Sequence, residues 1–117
     1  ARATVAGLPS GTRLLVSGTA SIRGEVSMHA GDLAMQIHET FENLASLAAS
    51  VPGQSRFSLD RAETARVYFP RPADRAALVA AMKARLPRSA AVEYVPAWIC
   101  RRELLVEIEA TLAPSPS

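Results

Sequence analysis

The sequence predicts an α+β fold in which two helices cover one face of a mixed β-sheet. Stretches near both ends of the chain alternate apolar and polar residues, which is typical of strands. Two intervening segments repeat apolar residues at every third or fourth position, which is typical of amphipathic helices. The order strand, helix, strand, helix, strand, strand favours ferredoxin-like layers, in which the helices cover one face of the sheet and the other face stays open.

The first strand is predicted over residues 14–22, where the sequence LLVSGTASI alternates. One side carries Leu14, Val16, Gly18, Ala20 and Ile22, and the other carries Leu15, Ser17, Thr19 and Ser21. There is room for a further short strand near Thr4. A glycine inside a strand often marks a bulge or the close approach of a ligand, which makes Gly18 a position of interest.

The first helix is predicted to follow Asp32, whose carboxylate is suited to accept hydrogen bonds from the exposed amides of a helix start. Its apolar positions recur at spacings of three and four, namely Leu33, Ile37, Phe41, Leu44 and Ala48. We expect a helix of about 18 residues that ends before Pro52. Residues 50–60 carry Ser, Pro, Gly and Gln and predict a loop.

The second half of the chain predicts a strand from Ala65 to Phe69, stopped by the prolines that follow it. A second helix is expected over residues 73–86, with Leu78, Ala81, Met82 and Arg85 on one stripe. Two final strands are predicted over residues 90–96 and 104–112.

The composition is that of a globular protein, because 49% of the 117 residues are hydrophobic and 21% are charged. This length suits one domain, predicted over residues 1–113, with the Pro- and Ser-rich residues 114–117 as a frayed tail. The chain starts at Ala1 inside a segment that already resembles a strand. We therefore expect a piece of something longer.

Cysteine content and charge limit the partners. Cys100 is the single cysteine, so an intramolecular disulfide is excluded. No signal peptide and no apolar run of membrane-spanning length is visible, which favours a cytoplasmic protein with no membrane partner. The net charge is +2, but the arginines are scattered, which argues against a nucleic-acid partner.

The last strand carries the strongest hint of chemistry. Its residues Leu104, Val106, Ile108, Ala110 and Leu112 form an apolar face that must meet the helices. Glu107 and Glu109 therefore project side by side from the opposite face, although like charges repel there. Either this face is solvated, or it packs against another domain or subunit. In the second case a desolvated carboxylate would keep its proton to higher pH and could act as a general acid.

The other reactive residue types give weaker signals. Cys100 precedes two arginines that would favour a thiolate in an open site, although most lone cysteines are buried and inert. His29 and His38 fit capping or surface positions better than catalysis. Arg88 could bind a carboxylate or lie free on the surface. No metal-ligand spacing, phosphate-binding loop or nucleophile elbow is present, so no metal or cofactor is predicted.

Several stretches resemble a known family. They are VSGTASI (16–22), SMHAGD (27–32), Gln36, Glu39-Thr40, Asn43-Leu44, Ile99-Cys100-Arg101 and LLVEIEA (104–110). These are similar to the C-terminal half of chorismatases, which is RidA/YjgF-like, and the resemblance spans nearly the whole chain. It implies a chorismate-mutase-like α+β arrangement. The broader RidA/YjgF pattern shares the strand, the helix with Gln and Asn, and the closing Glu-Ile-Glu-Ala segment.

The resemblance also implies an activity. Chorismatases convert chorismate, without metal or organic cofactor, into pyruvate and a hydroxybenzoate or dihydroxycyclohexadiene carboxylate. The position that matches their proton donor to the enolpyruvyl group is Glu107. The type that makes 3-hydroxybenzoate has a glycine and a cysteine where this chain has Gly18 and Cys100. Further substrate contacts are expected from Thr19, Ala20, Tyr94, Arg88 and Arg101.

Chorismatases are about three times as long as this chain, and their N-terminal half contributes to the substrate pocket. The resemblance therefore implies a small carboxylate substrate and packing either in a homotrimer or against a RidA-like N-terminal half. One alternative is a RidA-like deaminase of enamines or imines, in which Arg88 matches the carboxylate-binding arginine after a one-residue shift. Another is a non-catalytic domain whose open sheet face only assembles with a partner.

Overall fold

The structure is a computed structural model that describes residues 3–9, 11–23, 26–51, 56–99 and 101–115. Seven strands are present in these ranges: β1 (Ala3–Leu8), β2 (Gly11–Thr19), β3 (Ile22–Arg23), β4 (Val26–Ser27), β5 (Phe57–Phe69), β6 (Ala91–Pro96) and β7 (Glu107–Pro114). The two α-helices are α1 (Leu33–Ala49) and α2 (Arg75–Arg85). The extra strand predicted near Thr4 is confirmed as β1.

The main sheet has five strands in the order β1-β2-β7-β5-β6. All its pairs are antiparallel except β5 and β6, which are parallel and are connected through α2. A parallel pair needs a crossover connection, and the helix provides it. β3 and β4 form a separate two-stranded ribbon. The predicted mixed α+β sheet is confirmed.

The core lies between the two helices and one face of the sheet. Its members include Leu14, Val16, Phe41, Leu44, Val67, Leu78, Met82, Ile108 and Leu112, all buried in one cluster. The predicted apolar face of the last strand is confirmed, because Leu104, Val106, Ile108, Ala110 and Leu112 are all buried. Both helices cover the same face, and the opposite face exposes 40% of Leu15.

α1 begins where the sequence predicts it. The Asp32 side chain accepts a hydrogen bond from the Met35 amide at 3.1 Å, which satisfies one of the free amides of the first turn. The helix has 17 residues, and Ile37, Phe41, Leu44 and Ala48 of its predicted stripe are buried. Arg85 of the second predicted stripe is exposed instead of buried. Its guanidinium lies 5.4 Å from the centre of the Phe41 ring.

Three predicted boundaries are wrong for tertiary reasons. β5 begins at Phe57, inside the predicted loop, because Phe57 pairs with Pro114 of β7. β7 begins at Glu107 and not at Leu104, because the Leu105 amide donates to the Gln36 side chain rather than to a strand. The frayed tail over residues 114–117 stays a prediction; Ser115, the last described residue, donates its amide to the Arg56 carbonyl at 2.7 Å. The second helix starts at Arg75, after a 3₁₀ turn over Pro72–Asp74.

The continuous alternation predicted for residues 14–22 is also wrong. Val16 pairs with Ala110 and Thr19 pairs with Ile108, so two residues of β2 lie opposite one residue of β7. This is a β-bulge, and it reverses the inside and outside positions that follow it. Thr19 is consequently 1% exposed and belongs to the buried side. The interpretation of Gly18 as a bulge position is confirmed.

Candidate active site

Five of the residues that the sequence singled out line one cavity of about 450 Å³, here called the Glu107 cavity. They are Gly18, Thr19, Ala20, Arg101 and Glu107. The rest of its lining is Ile22, then Asn43, Ser46 and Leu47 from α1, and Ser50, which caps the C-terminal end of α1. Its volume falls within the range of about 300–1,000 Å³ that is usual for small-molecule sites. The cavity thus joins the bulge in β2, the start of β7 and one side of α1.

The Glu107 carboxyl group lies directly against Gly18. A methyl group on Gly18 would lie 2.8 Å from the Glu107 Cδ atom and 3.0 Å from each carboxyl oxygen. These distances are shorter than ordinary van der Waals contacts. The Glu107 carboxyl group therefore occupies space that is free because Gly18 has no side chain.

The two glutamates of the last strand differ in their surroundings. Glu109 accepts hydrogen bonds from Arg66 Nη1 at 3.1 Å and from the Tyr68 hydroxyl at 3.0 Å. Arg66 also binds Glu93, at 3.2 Å. The hydrogen bonds that Arg66 donates to Tyr68 and Glu93 raise the pKa of Arg66 above its usual value. Among the described residues, Glu107 has no hydrogen-bond or ion-pair partner, so its carboxyl group is available to a ligand while that of Glu109 is engaged.

Asn43 holds the backbone that forms one wall of the cavity. Its side-chain amide donates to the Ala20 carbonyl at 2.8 Å and to the Ile22 carbonyl at 2.9 Å. These bonds tie the chain that leaves the bulge to α1. Buried or half-buried carbonyls need such partners wherever the strand ladder ends.

Gln36 is fully buried and connects two loops. Its Nε2 atom donates to the His29 carbonyl at 3.1 Å and to the Glu103 carbonyl at 2.8 Å. Its Oε1 atom accepts from the Leu105 amide at 2.8 Å. Both ends of the side-chain amide are therefore used, and the turn that carries Arg101 is fixed to α1.

Arg101 reaches the cavity from that turn. Its Nη1 atom donates to the Ser27 hydroxyl at 3.1 Å, and the hydroxyl donates to Glu103 Oε1 at 2.7 Å. The hydrogen bond from Ser27 lowers the pKa of Glu103, and the Arg101 charge adds to this effect. The three side chains form a chain of hydrogen bonds between the β3–β4 ribbon and the turn before β7.

Two of the predicted site residues that the structure describes are not brought together with Glu107. Tyr94 and Arg88 line a different cavity of about 600 Å³ between α2 and β6. Burial raises the pKa of Tyr94, while the Arg75 guanidinium, 5.6 Å from its ring centre, acts in the opposite direction. Cys100 lies outside the described residues.

The sequence reasoning gave no role to Gln36, Asn43 or Ser27. The available signal for Gln36 was its position next to Ile37 on the buried stripe of α1, where a long polar side chain needs hydrogen-bond partners. His38 is exposed, as expected. His29 is half-buried with a positive φ of 61°, and its Nε2 atom lies 3.8 Å from Glu39.

No group of three or more His, Cys, Asp and Glu side chains in the described part of the chain could hold a metal ion. Neither helix, as far as the structure describes them, has the length and apolar character needed to cross a bilayer.

Comparison with known proteins identifies relatives that are longer than this chain. A chorismatase from Streptomyces hygroscopicus is 34% identical over 119 aligned positions, which cover 97% of this chain and 34% of the relative. A 3-hydroxybenzoate synthase from the same species is 33% identical over 108 positions, which cover 87% of this chain and 32% of the relative. No protein-family model matches the chain.

Solved structures agree with these relatives. A crystal structure of a chorismatase superposes with a TM-score of 0.83 at 34% identity, covering 97% of this chain and 36% of that one. RidA from the Antarctic bacterium Psychrobacter superposes with a TM-score of 0.72 at 22% identity, covering 92% of this chain and 84% of that one. The chain therefore has the RidA/YjgF-like α+β fold and is homologous, over nearly its whole length, to about one third of a chorismatase.

Proposed function

We propose that this chain is a chorismatase-type catalytic domain that converts chorismate into pyruvate and a hydroxybenzoate or a dihydroxycyclohexadiene carboxylate. The observation that carries the proposal is the Glu107 cavity, where three residues meet: Glu107, whose carboxyl group has no partner among the described residues, Gly18, which makes room for it, and Arg101. The relatives named chorismatase and 3-hydroxybenzoate synthase support the same reaction class.

In this proposal Glu107 is the general acid. It donates its proton to the terminal methylene carbon of the enolpyruvyl group, and positive charge develops on the ether carbon. Water can then add to this carbon, and the bond from it to the ether oxygen breaks, which gives pyruvate and the dihydroxy diene and returns a proton to Glu107. Alternatively the bond between the ether oxygen and the ring breaks and the ring loses a proton to Glu107, which gives pyruvate and a hydroxybenzoate without water. An acid that stays protonated near neutral pH is needed for this step.

Arg101 is the residue in the same cavity that suits a substrate carboxylate, because guanidinium binds carboxylates through paired N–H donors. Thr19 and Ala20 line the cavity beside it. Cys100, next to Arg101 in the chain, is proposed to contribute to the same reaction on the strength of the resemblance. Tyr94 and Arg88 line another cavity of this chain and are given no role in this proposal.

The test is incubation of the chain with chorismate and detection of pyruvate and 3-hydroxybenzoate by chromatography. A second sample should carry any sequence that adjoins the chain in its gene. Glu107→Gln is the matched variant, since it keeps the shape of the side chain and removes the acid. The absence of both products from the folded protein in either form would refute the proposal.

The open sheet face is proposed to pack against further copies of the chain, as a homotrimer, or against a RidA-like N-terminal half. This face carries a depression of about 610 Å³ lined by Leu15, Thr111 and the Arg66–Glu93–Glu109 network. The chain spans about one third of the length of the chorismatase it matches, which favours the second arrangement. Light scattering distinguishes them, because a trimer has three times the mass of 12.4 kDa. Leu15→Glu should abolish a trimer, whereas a monomeric chain would favour packing against a RidA-like N-terminal half.

A RidA-like imine deaminase is the alternative, and the RidA-like fold is the observation that favours it. The arginine that would hold the imine carboxylate, Arg88, is not in the Glu107 cavity. Accelerated decay of 2-aminoacrylate together with no effect on chorismate would favour this activity.

A further inference from the structure

We propose that Ser27 and Glu103 are positioning residues that hold the Arg101 guanidinium at the Glu107 cavity in readiness for a substrate carboxylate. This inference rests on the proposed function and assigns roles to two residues outside the cavity lining. It depends on the direction of the two hydrogen bonds that Ser27 forms with Glu103 and Arg101, and on the contacts that hold the turn from Arg101 to Glu103 in place.

The serine hydroxyl fixes the direction of the chain of hydrogen bonds. A hydroxyl has one proton to donate and lone pairs that accept. Ser27 donates its proton to Glu103 Oε1 at 2.7 Å, which leaves a lone pair for Arg101 Nη1 at 3.1 Å. Glu103 therefore orients the hydroxyl, and the hydroxyl orients the guanidinium.

The backbone under this chain of hydrogen bonds is held by one buried side chain. Gln36 binds the carbonyl of Glu103 and the amide of Leu105 on one side, and the carbonyl of His29 on the other. The loop after Ser27 and the turn from Arg101 to Glu103 are thus fixed to the same helix. Groups that support a binding residue in this way set its orientation before the ligand arrives.

The arrangement also balances charge. An arginine at a cavity without an anionic neighbour would attract any anion, whereas Glu103 accompanies Arg101 through an intervening hydroxyl. The carboxylate of Glu103 is exposed and ionised at neutral pH, because Ser27 and Arg101 lower its pKa. A substrate carboxylate then meets a guanidinium of fixed orientation, which reduces the entropy lost on binding.

The test is a calorimetric titration of the chain with 3-hydroxybenzoate. Ser27→Ala and Glu103→Ala are each expected to weaken binding by about tenfold, as is usual when a supporting partner is removed. Glu103→Gln should change it by less than about threefold, because the amide oxygen still accepts from Ser27. Glu63→Gln is the control. Glu63 forms an ion pair of 2.6 Å with a different arginine, Arg13, and neither residue lines the Glu107 cavity.

A double-mutant cycle separates positioning from general stability. In an Arg101→Ala background, Ser27→Ala should have no further effect on binding, because it acts only through the missing guanidinium. An equal loss in both backgrounds, no loss in either, or no measurable binding by the unaltered chain would overturn the inference. Chorismate turnover is measured separately. If the chain turns over chorismate but Ser27→Ala does not weaken binding of 3-hydroxybenzoate, only the positioning role is refuted. If Ser27→Ala weakens binding but the chain has no turnover, only the proposed reaction is refuted.

Discussion

Replacing Gly18 by alanine tests how the bulge in β2 serves the Glu107 carboxyl group. The new methyl group would lie 2.8 Å from Glu107 Cδ, whereas carbon atoms in contact stay at about 3.5–4.0 Å. The carboxyl group must therefore retreat by about 0.7 Å or more. A displacement of about 1 Å at a reacting group can reduce a rate by about a hundredfold, so we expect Gly18→Ala to lower pyruvate release from chorismate by that factor.

The same substitution should leave the fold intact. Gly18 has no positive φ, so alanine adopts its backbone without strain, and the atoms in conflict lie at the end of a flexible side chain. A rotamer adjustment costs about 0.5–1.5 kcal/mol, and the lower entropy of the unfolded alanine chain offsets about 0.4–1 kcal/mol. Urea unfolding should therefore give a free energy within about 1 kcal/mol of the original value.

Gly7→Ala is the matched control, because no described residue other than its chain neighbours has an atom within 4 Å of the added methyl group. It should change neither turnover nor stability. Unchanged turnover in Gly18→Ala would show that the contact with Glu107 does not matter for the reaction. A stability loss above about 3 kcal/mol would show that the glycine is needed by the bulge itself and not by the carboxyl group.

Three further outcomes are expected. Glu107→Gln should reduce chorismate turnover by about a thousandfold, because the general acid is lost, and its unfolding in urea should be unchanged. The control is Glu42→Gln, on the exposed side of α1. Similar turnover rates for the two variants would refute the role of Glu107 as the acid. Gln36→Leu should lower the free energy of unfolding by about 3 kcal/mol, because it leaves the buried Leu105 amide and the Glu103 carbonyl without their partner, while the His29 carbonyl keeps the hydrogen bond from the Asp32 amide; a change below about 1 kcal/mol in urea unfolding would contradict this. Burial raises the pKa of Tyr94 above 10.0 in the folded state, so folding favours the protonated phenol. This contribution to stability is fully present below about pH 10 and is lost as the pH rises through the pKa of Tyr94 in the folded protein. Tyr94→Phe should therefore flatten the fall of unfolding free energy above about pH 10, and an identical slope in both proteins would count against it.

The sequence alone determined the features that depend on local patterns. The helical repeat and the Asp32 cap located α1, since both signals arise within one turn or a few turns of the chain. The alternation around Ile108 identified the buried face of the last strand and hence the opposite direction of Glu107. Such patterns are readable because the periods of helices and strands are properties of the backbone.

The tertiary structure decided what depends on residues far apart in sequence. Pairing with β7 extended β5 into the predicted loop and produced the bulge that buries Thr19. The order of the strands put Gly18 against Glu107 and left Tyr94 in another cavity. Buried Gln36 stopped β7 short of Leu105 and fixed the turn that carries Arg101. No local pattern encodes these contacts, because a pairing register and a side-chain hydrogen bond are set by the partner as much as by the residue itself.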